Sequence, residues 1–461
     1  MRIELCELMR SPTVLADALG ARLIGERPVT PLGLTNDSRE VLPGDLFLAL
    51  PGASSHGADF IADAARRGAV GVIAKEGIRV PEACLLFAVK DPITALLSAA
   101  AFRRRRSRAY LVAVSGSVGK TTVKEGVATL LSSVGSVAFS QGNFNSQIGF
   151  PLSMLSFAES DFWVVELGIN HPGEMQAMAS AAMPDLALLT GVGNAHIGHF
   201  ESDAELLSEK LKIATCLRGN GVFLLPAALK TAASFGQAVR VLGMGQGGDF
   251  YLDKIDMSPK GVCGDLMTPD RVITNVAWPV PGRIGVCAIT AIGAAGALIG
   301  CSAQTIRQGL LLAGERTPRM QALAVEGRVL IDDSYNASPD AVEGALEVLS
   351  YRAGGRPTVA VLGDMLELGE RSQELHFRVG AAVARSGVSQ LFTYGEQAAC
   401  FASGALDAGM DAKCIFCFAR QEKTALVKAL LRDTPPNAVM LLKGSGRMKM
   451  YEIVEEIRRK I

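Results

Sequence analysis

The residues with the clearest chemistry lie in Gly116-Ser-Val-Gly-Lys-Thr-Thr122, a glycine loop between an apolar run from Ala109 and a helix start. Backbone N–H groups of such a loop converge on phosphate oxygens, the ammonium of Lys120 can neutralise the outer phosphates, and the Thr121 hydroxyl can ligate Mg²⁺. The loop is shorter than a general Walker A, whose first glycine would fall at Val114. Glu166 ends the apolar run Asp161-Phe-Trp-Val-Val-Glu-Leu-Gly168, a Walker B-like place for a metal ligand or a water-orienting base. His196 follows the apolar run of residues 185–191, and Lys210 sits in a helix-like segment, residues 202–216. An ammonium cannot ligate a metal, but an amine that has reacted with CO₂ is a carbamate, a carboxylate on a long arm.

Such side chains need strands that end at a common crevice, and the chain reads as α/β throughout. Residues 1–106 read as a small N-terminal α/β domain, with β-like runs Asp45-Leu-Phe-Leu-Ala-Leu50 and Ala69-Val-Gly-Val-Ile-Ala74 and a helix over residues 60–67. Its polar clusters, Thr35-Asn-Asp-Ser-Arg39 and Ser54-Ser-His-Gly-Ala-Asp59, offer hydroxyls, amides and an arginine fork that suit a nucleotide diphosphate or a uracil-like base. The run Arg103-Arg-Arg-Arg106 reads as helix C-terminal cations and a solvated linker. Residues 107–315 form a central domain on a parallel sheet, in which Gly142-Asn-Phe-Asn145 brings uncharged amides near the loop. The apolar stretch 286–299 is shorter than the about 20 residues of a membrane span and reads as a helix buried between layers. Residues 316–461 form a third, Rossmann-like α/β domain. Its three strand ends place Asp333, Asn336, Asp364, Lys443 and Ser445 on one rim, a second crevice with no phosphate loop of its own.

The 461 residues are 49% apolar, ample for several cores, and Lys+Arg and Asp+Glu balance at 46 each. That balance gives no reason to expect nucleic acid as a partner. Nine cysteines without framework spacing fit free thiols in a reducing compartment, and Cys414-Ile-Phe-Cys417 reads as buried strand cysteines. The N-terminus mixes charges where a signal peptide needs an apolar core, so a cytoplasmic protein is expected.

In order, these motifs resemble the Mur ligases, ATP-dependent amide-forming enzymes of peptidoglycan assembly, and most of all their MurF type. The resemblance rests on Asp37-Ser-Arg39 with Pro43-Gly-Asp-Leu-Phe47, on the short phosphate loop, on Gly142-Asn-Phe-Asn145 with Ile148-Gly149 and Pro151, and on Glu166-Leu-Gly-Ile-Asn-His171. It continues through Ala195-His196, Lys210, Asp332-Asp-Ser-Tyr-Asn-Ala337, Leu362-Gly-Asp-Met-Leu-Glu-Leu-Gly369 and Lys443-Gly-Ser445. It implies a three-domain enzyme joining D-alanyl-D-alanine to UDP-N-acetylmuramoyl-tripeptide through an acyl phosphate, acting as a monomer with ATP and two Mg²⁺. The implied ATP site is Gly116, Ser117, Val118, Gly119, Lys120, Thr121 and Thr122, with Arg319 and Asp333 from the third domain. Thr121 and Glu166 would hold one Mg²⁺, and Glu166, His196 and a carbamylated Lys210 the second. Ser38 and Arg39 would lie near the uridine diphosphate and Asn143 and Asn145 near the muramyl peptide. Asn336, Asp364 and Ser445 would lie near the dipeptide.

Some positions depart from the family pattern. Ile284-Gly285-Val286-Cys287-Ala288 stands where the family has its adenine-contacting His-Asn and Asn, and Pro318 stands where a glycine usually precedes the arginine. Ser146 and Ser338 replace common asparagines, Lys212 a glutamate, and His56 an aspartate. Rival readings are a MurE-type ligase adding a diamino acid, a folylpolyglutamate synthetase, or a catalytically silent nucleotide-binding relative. The Asp-Asn-Pro-Arg loop of the MurE type is absent.

Overall fold

The computed structural model describes residues 1–52, 56–194, 197–233, 239–317 and 319–459. At its centre is a six-stranded, all-parallel sheet in the order Arg240–Met244, Val222–Pro226, Leu186–Leu189, Tyr110–Ser115, Phe162–Glu166, Val137–Phe139. Leu111 to Val114 are wholly buried, as the unbroken apolar run requires of a strand covered on both faces. Register pairs Ser115 with Leu189 on one side and Val114 with Glu166 on the other, so three strand ends meet at one rim.

The N-terminal sheet also has six strands, in the order Arg2–Glu4, Gly33–Thr35, Asp45–Leu48, Gly71–Lys75, Leu85–Val89, Arg22–Ile24, with antiparallel pairings only at its two ends. The helix Pro92–Arg106 leads from it to the central sheet, and here the structure corrects the linker reading. Arg103 and Arg104 are 2% and 1% exposed. Arg103 donates to Phe157 O at 2.8 Å and pairs with Glu159 at 3.0 Å, its guanidinium 5.1 Å from the Trp163 ring. Arg104 donates to the carbonyls of Ala109 and Ala182 and pairs with Asp185 at 2.6 Å. The helix end is therefore built into the central unit, where carbonyls at two helix C-termini, Phe157 and Ala182, and at Ala109 just before a strand take up the guanidinium donors.

Residues 251–278 form a feature that the sequence reading left unassigned, a three-stranded antiparallel sheet of Tyr251–Ser258, Gly261–Met267 and Val272–Trp278. Against it packs the apolar helix, which starts earlier than expected and spans Gly282–Ile299. At 18 residues it is long and apolar enough to cross a membrane, yet 61% of it is buried inside the protein.

The last sheet runs Gln321–Val325, Arg328–Asp333, Val439–Lys443, Thr358–Gly363, Gln390–Tyr394, Ile415–Phe418, parallel except for its first pair. All nine cysteines are free, but only Cys84 and Cys301 are buried. Cys417 is exposed on the edge strand and Cys414 half-buried just before it, so the buried-pair expectation fails because that strand lies at the sheet margin.

Candidate active site

The strand Tyr110–Ser115 runs into the glycine loop, and the helix Lys120–Leu131 starts directly after Gly119. Gly116 has φ +143°, and a Cβ there would collide with the Thr190 hydroxyl, which itself donates to Val118 O at 2.5 Å. Only glycine lets the loop fold this tightly against the neighbouring strand end. Ser117 is fixed from the same side: its hydroxyl donates to Gly193 O at 3.0 Å and accepts Gly193 N–H at 2.9 Å. The Lys120 ammonium folds back onto Gly116 O at 2.7 Å, the place from which it can swing to a phosphate. Burial lowers its pKa, with Glu166 opposing and Arg319 adding to the fall.

Glu166 is 2% exposed and held on both oxygens. Thr121 Oγ1 donates to Oε2 at 3.0 Å and Asn145 Nδ2 to Oε1 at 2.7 Å, so a hydroxyl and a carboxylate converge as a hard-cation donor set would. Behind them stands Lys124, which the sequence reading passed over. It is fully buried and donates to Ser140 O at 2.8 Å and Gly142 O at 3.3 Å. The Ser140 hydroxyl in turn accepts Glu166 N–H at 3.1 Å. One lysine thus ties the phosphate-loop helix to the strand bearing Glu166 and to the turn that carries Asn143 and Asn145. Lys124 follows Lys120 by one helical turn, the one hint that the sequence offered.

Lys210 lies on the helix Asp203–Leu211 and is 2% exposed. Burial, and then the charge of Lys120, bring its pKa down to about 7 against the pull of Glu209. An appreciable share of Lys210 is therefore neutral near pH 7, the form that adds CO₂. His196 lies outside the described residues, as do Ser54, Ser55 and Pro318.

Opposite the phosphate loop, the last sheet supplies the other wall of a cleft of about 530 Å³. Arg319 lays its guanidinium 3.6 Å over the Tyr335 ring. The Lys443 ammonium pairs with Asp333 and donates to Asn336 O at 2.9 Å, and both ions of that pair are buried. Ser445 Oγ accepts Leu366 N–H at 2.8 Å. Asn143, Asn145, Arg319, Asp333, Asn336 and Ser445 all line the cleft together with the phosphate loop and Glu166. Asp364 does not: its carboxylate accepts the backbone N–H groups of Glu396 and Gln397 at 2.8 and 3.0 Å, just before the helix Ala398–Asp407, and is 3% exposed. It is spent on that helix start, as carboxylates commonly are. Ser38 and Arg39 lie outside this cleft as well; Ser38 is buried, and Arg39 pairs with Asp37 at 2.6 Å, holding that carboxyl down to about 2. Ile284 lines the cleft while Gly285 and Ala288 are buried in the helix, so an isoleucine side chain faces the space.

Comparison with known proteins agrees with this layout. Three family models match in succession: the Mur ligase family catalytic domain over residues 32–103, the Mur ligase middle domain over 114–295 and the Mur ligase glutamate ligase domain over 318–446. The UDP-N-acetylmuramoyl-tripeptide–D-alanyl-D-alanine ligase of Escherichia coli is 32% identical over 96% of this chain and 97% of that relative. The chain belongs to the Mur ligase family, in its MurF type. A MurF crystal structure from Acinetobacter baumannii superposes with a TM-score of 0.87 at 26% identity, covering 99% of both chains. MurF from Thermotoga maritima in complex with ADP gives 0.80 at 25% identity, covering 93% of this chain and 98% of that one. The three-domain Mur ligase architecture, with a parallel sheet in the middle domain, is therefore the fold of this protein.

Proposed function

We propose that the protein is an ATP-dependent ligase that joins D-alanyl-D-alanine to UDP-N-acetylmuramoyl-tripeptide, giving the UDP-linked pentapeptide, ADP and phosphate in peptidoglycan precursor synthesis. The observation that carries this reading is the single cleft in which the phosphate loop and Glu166 face Arg319, Asp333 and Ser445 across from another sheet. Likeness to the E. coli ligase along nearly its whole length supports the substrates, and the ADP complex of the T. maritima neighbour supports the nucleotide.

A carboxylate is a poor acyl acceptor, so the tripeptide carboxylate first attacks the γ-phosphorus of ATP and ADP leaves. The dipeptide amine then attacks the acyl carbon, loses a proton, and phosphate leaves from the tetrahedral intermediate. In the first step Lys120 and the loop N–H groups take up the charge on the transferred phosphoryl. Thr121 and Glu166 fit one Mg²⁺ by their donor chemistry, and Glu166, His196 and a carbamylated Lys210 are proposed for a second; the residues would hold there a charge that would screen the oxygens brought together in transfer. The low pKa of Lys210 supports the carbamate, since only the neutral amine adds CO₂.

The proposed division of labour gives residues 1–106 the uridine diphosphate, through Ser38 and Arg39, residues 107–315 the ATP and muramyl peptide, and residues 316–461 the dipeptide. Asn336 and Ser445 remain in that last role and Asp364 supports the helix behind it. The substrates are small molecules, and the proposed setting is a cytoplasmic monomer. Mass analysis of the product tests the reading: ATP, UDP-tripeptide and D-Ala-D-Ala should yield the UDP-pentapeptide, and its absence with active ATP turnover would reject it.

A further inference from the structure

The acceptor proposed above carries a free C-terminal carboxylate, which a guanidinium or ammonium holds through charge-assisted hydrogen bonds about twice as strong as neutral ones. Among the described residues lining the cleft, the cations are Lys120, Arg319, Lys443 and Arg447. Lys120 belongs to the phosphate loop, bonded to Gly116 O at 2.7 Å. Arg319 is stacked on Tyr335, and its charge is felt at Lys120, which puts it on the phosphate side. Lys443 is buried and committed to Asp333 and to Asn336 O.

Arg447 differs from all three. It follows the strand Val439–Lys443 at the end of the rim, and its side chain is 70% exposed. Its Nη2 donates one hydrogen to Glu367 Oε1 at 3.2 Å, which leaves the second Nη2 hydrogen and a neighbouring nitrogen as a bidentate edge for a planar anion. Glu367 is itself an unusual residue, with φ +65° in the left-handed region that non-glycine side chains rarely adopt. Its carbonyl accepts Gly198 N–H at 3.1 Å from the middle unit. Such strain persists only where surrounding contacts impose it, and it clusters at ligand sites. Here it holds the carboxylate that aims Arg447 into the cleft.

We propose that Arg447 binds the C-terminal carboxylate of the incoming dipeptide and makes that carboxylate a requirement for the acceptor, with Glu367 as its positioning residue. The proposal rests on the ligase reading given above. A guanidinium pairs bidentately with a carboxylate and has no equivalent pairing with a neutral amide.

The test compares D-Ala-D-Ala with its C-terminal amide as acceptors, for the wild type and for Arg447→Gln, at saturating ATP and UDP-tripeptide. The wild type should prefer the acid by about 10- to 100-fold in kcat/KM, the scale of hydrogen bonds to a charged group. Arg447→Gln should raise the KM for D-Ala-D-Ala by a similar factor, bring the acid-to-amide ratio close to one, and retain the wild-type KM for ATP, which shows the variant folded. Arg447→Lys should recover part of the preference. Equal use of acid and amide by the wild type, or an unchanged ratio in Arg447→Gln, would overturn the inference and leave the ligase reading standing. A wild type that makes no pentapeptide product from the acid would remove both.

Discussion

Asp340 reaches from the third unit to the middle one, where its Oδ2 accepts the backbone N–H of Asn194 at 2.7 Å. The neighbouring Gly193 is clamped to the Ser117 hydroxyl of the phosphate loop, and a Cβ on Gly193 would strike the Asp340 carboxylate. Two hydrogen-bonded pairs, Ser117–Gly193 and Asn194–Asp340, thus link the phosphate loop to the start of the helix Pro339–Ala353 on the facing wall. Asp340→Ala should lower kcat/KM by about 10-fold, equivalent to ~1.4 kcal/mol, within the range of a hydrogen bond to a charged acceptor. Its melting temperature should change little, because the Asp340 side chain is 38% exposed. Initial rates on the purified variant check this, and wild-type rates would count against the link.

Lys124 should be the residue whose loss spreads furthest within the middle unit. Lys124→Met leaves Ser140 O and Gly142 O without their buried donor, at a cost of about 1–3 kcal/mol. Because the same turn carries Asn143 and Asn145, the KM for UDP-tripeptide should rise more than the KM for ATP. Urea unfolding and the two KM values measure the effects, and equal rises in both KM values would contradict the positioning role.

Lys210→Ala should lose about 100-fold or more in activity, beyond what loss of an outer-shell partner of a metal site costs. Short carboxylic acids added to the assay should restore part of it by replacing the carbamate. Full activity in Lys210→Ala without such acids would reject the carbamate.

The strand ends were readable in the sequence because an apolar run that stops at a polar residue marks where a buried parallel strand meets solvent. Ser117 to Thr121, Glu166, Asp333 and Ser445 were found that way, and they meet in the cleft. Asp364 misled for the same reason: it also ends a strand, but backbone N–H groups from a distant part of the chain claim its carboxylate. Arg103 and Arg104 looked solvated because charge runs usually are, and nothing local reveals the carbonyls that accept from them. Asp340 and Arg447 escaped notice because Asn194 meets Asp340 only when two units pack, and Glu367 meets Arg447, 80 residues away, only when the last sheet folds.

A pH effect follows from His376, which is fully buried on the helix Ser372–Arg385. Its Nε2 accepts Met365 N–H at 2.9 Å, so the ring is neutral with its proton on Nδ1, toward Ser372 O. Burial lowers its pKa below 6.5, with Ser372 O and Asp364 opposing. The unfolded chain then binds the proton first. The stability from His376 is fully present above pH 6.5 and is lost as pH falls from there through the folded pKa. Denaturant unfolding from pH 7.5 to 5 should show the decline, and His376→Gln should be less stable at pH 7.5 with a flatter slope. An identical slope in the variant would exclude His376 as its source.

The central claim is that this cleft brings ATP, a UDP-linked carboxylate and a D-alanyl dipeptide together. Phosphate release with ATP and UDP-N-acetylmuramoyl-tripeptide, measured with D-Ala-D-Ala or diaminopimelate as the added amine, tests it most directly. Release that depends on the tripeptide and on D-Ala-D-Ala, and that Lys120→Ala abolishes, is the predicted result; equal release with diaminopimelate on the dipeptide precursor, or release indifferent to the amine, would contradict it.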